Sequence, residues 1–402
     1  MGKKIVLFVL LFATMFMLGL VENMRGVSFP LIKDEFDVPF KQQGFLVSML
    51  SLAYVLANIL AGILLGRFDI KPAVFAGYSA ICLGLVLIPF MPSFFSLSFA
   101  LFAVFGGFGF LDIGMNALAS RVFVTKAALL MNLLHSFYGI GSMLGPRIAG
   151  FAENHTGLGW RFAYLLSLPL VLLLFAVAAV SRFPKSSIDD TDPGDHAANI
   201  SGNNAERRTF LDAVKTPMVW LLSVTLGLAL IIDANTPNWG PLYFQDVYGL
   251  DPAKEGASFL SMFFLLFTVS RLVCGPILEK IGYIRSLLGV SVLTFAVFAA
   301  GFLLGAAGIH VLPVLGFLIA LFWPTLLAVA IVSFGKDAPV YAGAMISLGG
   351  LINTAGQFLV GFTNSVIGPA WGYRSSLLHT ALLIFVLLLL YKSMKRNGIR
   401  KV

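Results

Sequence analysis

From Lys185 to Arg208 the chain reads KSSIDDTDPGDHAANISGNNAERR. Ser, Asp, Asn and Gly dominate this stretch, which therefore has no apolar face to bury and reads as a flexible linker. On both sides of it apolar runs recur. A bilayer span needs about 20 such residues at ~1.5 Å rise each. Upstream, the runs predict helices at 5–30, 43–66, 72–91, 94–121, 127–150 and 161–182; downstream, at 217–242, 256–279, 284–305, 309–333, 340–366 and 371–392. The expected fold class is all-α membrane, with twelve transmembrane helices in two six-helix repeats. The expected organisation is an N-terminal half (1–182), a cytoplasmic linker (183–210) and a C-terminal half (211–402).

Composition agrees. The 402 residues are 58% hydrophobic and 11% charged, against roughly 25% charged in soluble domains, so most of the surface cannot face water. Cys82 and Cys274 both lie in apolar runs, and the five histidines are scattered. No disulfide framework, metal-ligand spacing or phosphate loop is visible. Neither a cofactor nor an enzymatic activity is expected, and an ion gradient or the solute's own gradient is left as energy source.

The net charge of +8 sits at the ends of apolar segments, as membrane topology demands, and not in a nucleic-acid-binding patch. Lys3 and Lys4 precede an apolar run with no small-residue cleavage site that continues past Leu20, so it reads as a retained first helix. One set of alternate connections holds Lys3, Arg67, Lys71, Arg121, Lys126, Arg182, Arg207, Lys280, Arg285, Lys336 and Lys392. In the other set, Lys33, Lys41 and Lys254 are accompanied by Asp34, Glu35, Asp37, Asp251 and Glu255. The positive-inside rule then puts both termini in the cytoplasm of a multi-pass cell-membrane protein.

The halves align at a nearly constant offset: Glu22 with Asp233, Pro30 with Pro241, Gly44 with Gly256, and Gly62 with Gly275. Trp160-Arg161 is echoed by Trp371 and Arg374. Parallel repeats related by an axis along the membrane normal place a substrate site at midplane between them.

Ionisable groups in hydrocarbon cost roughly 2.5–3.5 kcal/mol each on insertion scales, so those inside the spans are candidates for function. Asp112 lies about 18 residues, hence ~27 Å, into its helix, with Asn116 one turn later on the same face. A lone carboxyl there suits a reversible proton carrier or a structural ion pair. Glu22 and Arg25, three apart, share a face, either as an intrahelical pair or as substrate contacts. His135 is the expected neighbour of Asp112 because a short turn joins helices 4 and 5; it reads as a packing histidine or a proton relay. Arg147 and Arg271 read as gating or packing charges, and His379 as structural. In helix 7, Asp233, Asn235, Asn238 and Trp239 surround Pro237 and Pro241, which remove helix hydrogen bonds and let the segment bend or unwind. Amides and carboxylates beside an indole suit a polyhydroxylated ring; the alternative is a Pro-kinked helix end in water.

Several segments resemble known transporters. Gly275-Pro-Ile-Leu-Glu279-Lys280-Ile-Gly282-Tyr-Ile-Arg285 is similar to the signature loop of the major facilitator superfamily, in which Glu279 and Lys280 would latch helix ends. In its first-half copy, Gly62 to Lys71, Gly66 stands at the acidic position. Gly109-Phe-Leu-Asp112-Ile-Gly-Met-Asn116 and Leu134-His135-Ser-Phe-Tyr138-Gly139-Ile-Gly141 resemble helices 4 and 5 of the fucose–galactose–glucose/proton symporter branch. The resemblance implies that Asp112 couples protons, with Glu22 near the position of a further acid that here is Gly26. It implies that His135 and Tyr138 face the sugar, and Asp233, Asn235 and Asn238 resemble the acidic/Asn/Asn arrangement in helix 7 of the branch's bacterial glucose members; Asn116 and Trp239 are further substrate-binding candidates. The string Gly141 to Gly150, with Gly145-Pro146, also resembles the GP motif of drug/proton antiporters.

The expected function is therefore secondary active transport, as proton-coupled uptake of a monosaccharide or similar polar solute by alternating access. Its partners would be a small-molecule substrate, protons and the lipid bilayer, with no nucleic acid. The alternative is a proton-coupled drug or metabolite exporter on the same fold; a membrane sensor or membrane-embedded enzyme is a third class, unsupported by any nucleophile–base pair. The linker generates a first prediction. Replacing residues 187–204 by a Gly/Ser chain of equal length should leave uptake largely intact at normal expression, as measured by transport into cells.

Overall fold

The computed structural model describes residues 2–123, 127–184, 210–274, 278 and 280–396. The expected linker, apart from its edges, and Glu279 with most of the second signature loop lie outside them. Among the described residues twelve long helices form one bundle. They are α1 (Ile5–Glu35, interrupted by a turn at Met24), α2 (Phe40–Phe68), α3 (Ile70–Phe90), α4 (Phe94–Val122), α5 (Ala127–His155) and α6 (Trp160–Val180). A short helix, Phe210–Val214, leads into α7 (Pro217–Tyr248). Then come α8 (Pro252–Val273), α9 (Tyr283–Leu303), α10 (Val314–Phe334), α11 (Val340–Ile367) and α12 (Trp371–Arg396). All but α5 are, by length and composition, apolar enough to cross a membrane. Helix α5, which carries Asn132, His135, Tyr138 and Arg147, packs among them.

Hydrocarbon offers the backbone no partners, so helices are the spanning form this chain can take. Local signals set their ends. Ser93 and Ser96 exchange side-chain and backbone hydrogen bonds in a capping box that starts α4. Gly249, at φ 68°, closes α7 in the left-handed conformation. Large apolar side chains such as Phe95, Phe99, Leu173 and Phe385 point outward, the surface a lipid-facing bundle presents.

Within the first six helices α1 packs on α5, and α4 lies between α2 and α3; within the last six, α7 packs on α11 and α12, and α8 on α10. The repeat is visible at the helix ends. Glu35 at the end of α1 pairs with Arg161 and accepts from the Trp160 indole (3.1 Å) at the start of α6. Tyr243 near the end of α7 accepts from Arg374 (3.3 Å) at the start of α12. In the first-half copy of the signature loop, where Gly66 stands at the acidic position, Asp69 pairs with Arg121 at 2.6 Å and ties the α2–α3 turn to the end of α4.

The two sets of six meet along α2–α11 and α5–α8, and where the distal part of α1 crosses α7. These seams are built on glycine. A Cβ on Gly44 would sit 2.8 Å from the Gly361 Cα, and one on Gly150 would collide with the Ala253 carbonyl. At mid-helix a Cβ on Gly139 would collide with the Thr268 hydroxyl. The seams run from mid-helix to the end opposite the chain termini. Toward the terminal end the sets part: side chains at Gly62, Gly66 and Gly343 would meet nothing within 4 Å.

The closed end explains why α1 and α7 run five to six residues past their apolar stretches. Lys33 of α1 binds Asp246 of α7 at 3.2 Å, with both side chains 18% exposed, and Gln245 donates to Asp34 at 2.6 Å. End-pairing, not hydropathy, sets these boundaries. Because the Lys33–Asp246 pair bridges the two sets, Lys33→Met or Asp246→Leu alone should weaken the closed end by ~1–3 kcal/mol, the cost of an unpaired partner. The double variant should lie nearer wild type than either. Double electron–electron resonance distances across that end are the measurement.

Candidate functional site

Six ionisable groups from the spans converge near mid-bundle. Glu22, on α1 just before the Met24 turn, accepts from Tyr138 of α5 at 2.9 Å and pairs with Arg25 at 3.4 Å. Glu22 and Arg25 thus form the intrahelical pair that their spacing predicts, with both side chains mostly buried. Asn23 anchors the same face, donating to Ser142 (2.9 Å) and Tyr138 (3.4 Å). Arg25 also lies over the Phe105 ring, and its Nε is buried without a partner. From the other half, Asp233 of α7 interacts electrostatically with Arg271, Arg25 and Glu22. The repeat-related acids Glu22 and Asp233 therefore share one field. Arg271 of α8 stacks over Phe267 at 4.4 Å, and its Nε too is buried and unpartnered.

Asp112 sits beside this cluster on α4. Tyr54 of α2 donates to its Oδ2, and Asn116 donates to its Oδ1 at 2.8 Å. The helical spacing of four that pairs Asp112 with Asn116 was legible in sequence; Tyr54 was not, because nothing local to α2 marks it. Asn58, one turn after Tyr54, has a buried, unpartnered Oδ1, as does Asn116. The bonds that Asp112 makes are to Tyr54 and Asn116, not to His135. The charged neighbour of His135 is Arg271, across the α5–α8 seam, because α5 turns this face toward α8 while α4 packs on α2 and α3.

Most polar groups of α7 are already partnered, with Asn238 Oδ1 a buried exception. Gln357 of α11 accepts from Asn238 (3.2 Å) and from the Trp239 indole (3.0 Å), and donates to Asn235 (3.1 Å). Asn235 also donates to Ser376 of α12 at 2.9 Å. Asn235, Asn238, Trp239 and Gln357 are all buried. Despite Pro237 and Pro241, α7 stays helical across all 32 residues: close neighbours on α11 and α12 hold its polar side chains and leave no room to unwind. Sequence reasoning missed Gln357, an uncharged residue in an otherwise unremarked helix.

The remaining candidates lie apart. Arg147 is exposed on the flank of α5 and donates to Ser261 of α8 at 3.2 Å. Lys280 is exposed at the terminal end. His379 has a buried Nδ1 without a partner on α12.

A bundle of twelve helices in two related sixes, with ionisable groups gathered between them, defines a secondary transporter. Residues 11–361 match the Major Facilitator Superfamily, and the chain belongs to it. It is 24% identical over 98% of its length to an uncharacterized MFS-type transporter, YceJ, of Bacillus subtilis, covering 97% of that protein. It is 20% identical over 90% of its length to the L-fucose-proton symporter of Escherichia coli, covering 88% of it. A match at 20% identity to an uncharacterized MFS-type transporter of Yersinia pestis takes in 65% of this chain and 63% of that protein. Among solved structures the fold is shared with the nucleoside transporter NupG (TM-score 0.76, 12% identity, 97% of this chain and 100% of that one). It is shared also with FucP in the outward conformation (TM-score 0.63, 15% identity, 96% and 99%).

The buried α7–α11 knot yields a stability prediction. Gln357→Leu keeps the volume but strands Asn235, Asn238 and Trp239, at ~1–3 kcal/mol for each unpaired group. Its thermal unfolding midpoint in detergent should fall clearly below those of wild type and of Asn353→Ala, which removes one 3.4 Å contact to Gln357.

Proposed function

We propose that this transporter carries a small polyhydroxylated solute, a monosaccharide or a molecule containing one, in symport with protons. The carrying observation is the mismatch between the two polar clusters. In the α7–α11 knot only Asn238 Oδ1 is buried without a partner, whereas around the ionisable cluster Arg25 Nε, Arg271 Nε, Asn58 Oδ1 and Asn116 Oδ1 all are. Buried polar atoms are usually hydrogen-bonded. Donors and acceptors interspersed in one site match a ligand whose hydroxyls do both. A lipophilic cation would leave the two guanidinium donors unanswered and repelled.

Asp112 is the proposed proton carrier. Its oxygens are held by neutral donors, Tyr54 and Asn116, so its charge is not locked in an ion pair and can be gained and lost with the conformational cycle. Tyr138, bonded to Glu22, and His135, facing Arg271, are proposed to connect substrate occupancy to both halves. Asp233 is proposed to contact substrate directly, with Asn235, Asn238 and Trp239 holding α7 in shape behind it. The matched sugar and nucleoside transporters, whose named substrates contain a sugar ring, support this class. With both termini placed in the cytoplasm by the positive-inside rule, the open end faces the cytoplasm and the Lys33–Asp246 end the exterior.

The test compares wild type with Asp112→Asn in proteoliposomes. The variant should lose pH-driven accumulation, its internal-to-external ratio falling to about one as for any uncoupled carrier, while exchange of preloaded solute persists. Accumulation that survives in the variant overturns the assignment of Asp112. Saturable binding of a lipophilic cation to wild type, with no response to any sugar or nucleoside in a calorimetric panel, overturns the substrate class and favours the exporter.

A further inference from the structure

On the flank of the bundle, toward the closed end, α5, α6 and the start of α8 enclose a groove of about 510 Å³. Its walls are apolar, from Leu144, Ile148 and Phe151 of α5 and Phe162 and Leu166 of α6. Phe151 and Leu166 are 63% and 54% exposed, so the groove opens outward to the bilayer and not into the central cluster. Two cations stand on it, Arg147 from the first half and Lys254 from the second, with Asn154 and Ser258 beside them.

The charges are out of balance. Among the described residues no carboxylate pairs with Arg147, whose hydrogen bond is from Nε to Ser261. Arg147 lies eight residues before the end of α5, ~12 Å into the bundle. A guanidinium on a lipid-facing flank needs an anion, or must snorkel to the interface. Lys254, its side chain 78% exposed, reaches only Glu255, at 3.9 Å. The nearby Glu153 accepts from the Trp160 backbone N–H at 2.7 Å and, among the described residues, forms no ion pair with either cation. An apolar trough beneath two under-compensated cations matches one kind of bilayer component in both its parts.

We propose that this groove binds an anionic phospholipid, with an acyl chain between α5 and α6 and its phosphate held by Arg147 and Lys254. The site straddles the seam: Gly150 and Ala253, which make the tight α5–α8 contact, both line it. A lipid there bridges the two halves only while this end is closed, because separation of α5 from α8 parts the two cations. Anionic lipid therefore favours the conformation described above, independently of which solute is carried.

The test uses full-length protein in nanodiscs of phosphatidylcholine with graded phosphatidylglycerol. Native mass spectrometry counts retained lipid, and spin labels report distances across the closed end. Arg147→Gln and Lys254→Gln should each weaken phosphatidylglycerol retention about five-fold and together about twenty-five-fold, from ~1 kcal/mol per basic residue near the membrane surface. Leu166→Trp, which fills the trough from an exposed position and leaves both charges, should also reduce retention. Phosphatidylglycerol should raise the short-distance population in wild type but not in the double variant. Equal retention of phosphatidylcholine, or unchanged phosphatidylglycerol binding in the double variant, overturns the proposal. So does displacement by soluble glycerol phosphate at concentrations that leave Leu166→Trp and wild type alike, which would make the site one for free phosphate. If Arg147→Gln does not fold, Lys254→Gln and Leu166→Trp decide the question.

Discussion

Helices in hydrocarbon gain nothing from hiding apolar side chains from lipid tails, so contact between them depends on how closely their backbones approach. In this protein that approach is made by glycine: Gly44 against Gly361, Gly150 against Ala253, Gly139 against Thr268. These contacts set two of the three meetings between the halves. They bring α2 to α11 and α5 to α8, and so decide which polar side chains can meet. They put His135 and Arg271 on one seam, while the Lys33–Asp246 pair ties α1 to α7 on another.

The second constraint is that polar atoms drawn into such a bundle must find partners inside it. The two polar clusters answer it differently. Around Gln357, amide, indole and hydroxyl groups of α7, α11 and α12 close on one another, all but Asn238 Oδ1, which ties those three helices together. Around Glu22, Arg25, Asp112 and Arg271 the groups come from α1, α2, α4, α5 and α8, and part of their bonding capacity is unused. A closed network is rigid. An open one can be completed by something that enters, and it touches the elements of both halves that must move.

Sequence patterns foretold the architecture well because each span is a long, independent apolar signal, and because a duplicated chain repeats its own punctuation. The Trp160-Arg161 and Trp371/Arg374 echo is an example: both places join a half's first helix to its last. Asp112 with Asn116, and Glu22 with Arg25, were legible for a local reason, since helical spacing alone puts them together. What could not be read is whatever depends on which helices are neighbours. Tyr54 and Gln357 lie far along the chain from the residues they bind and carry no charge to draw notice. His135 was expected near Asp112 from connectivity; its charged neighbour Arg271, across the α5–α8 seam, lies far along the chain and could not be read. Helix 7 illustrates the converse: two prolines imply a break, yet dense packing keeps the helix whole.

The contact of Gly139 with Thr268 has a mechanical consequence. It lies near the middle of α5, a helix of 29 residues and therefore ~44 Å long. With no side chain on Gly139, α5 rests directly on the Thr268 side chain of α8, a fulcrum that gives α5 lever arms of roughly 20 Å on each side. A tilt of about ten degrees moves each tip by ~4 Å, in opposite directions. That displacement exceeds what an ion pair at the far tip can follow, while the midpoint, where the ionisable cluster sits, hardly translates. Small rotations are thus geared into the making and breaking of end contacts, and the site at the axle is spared.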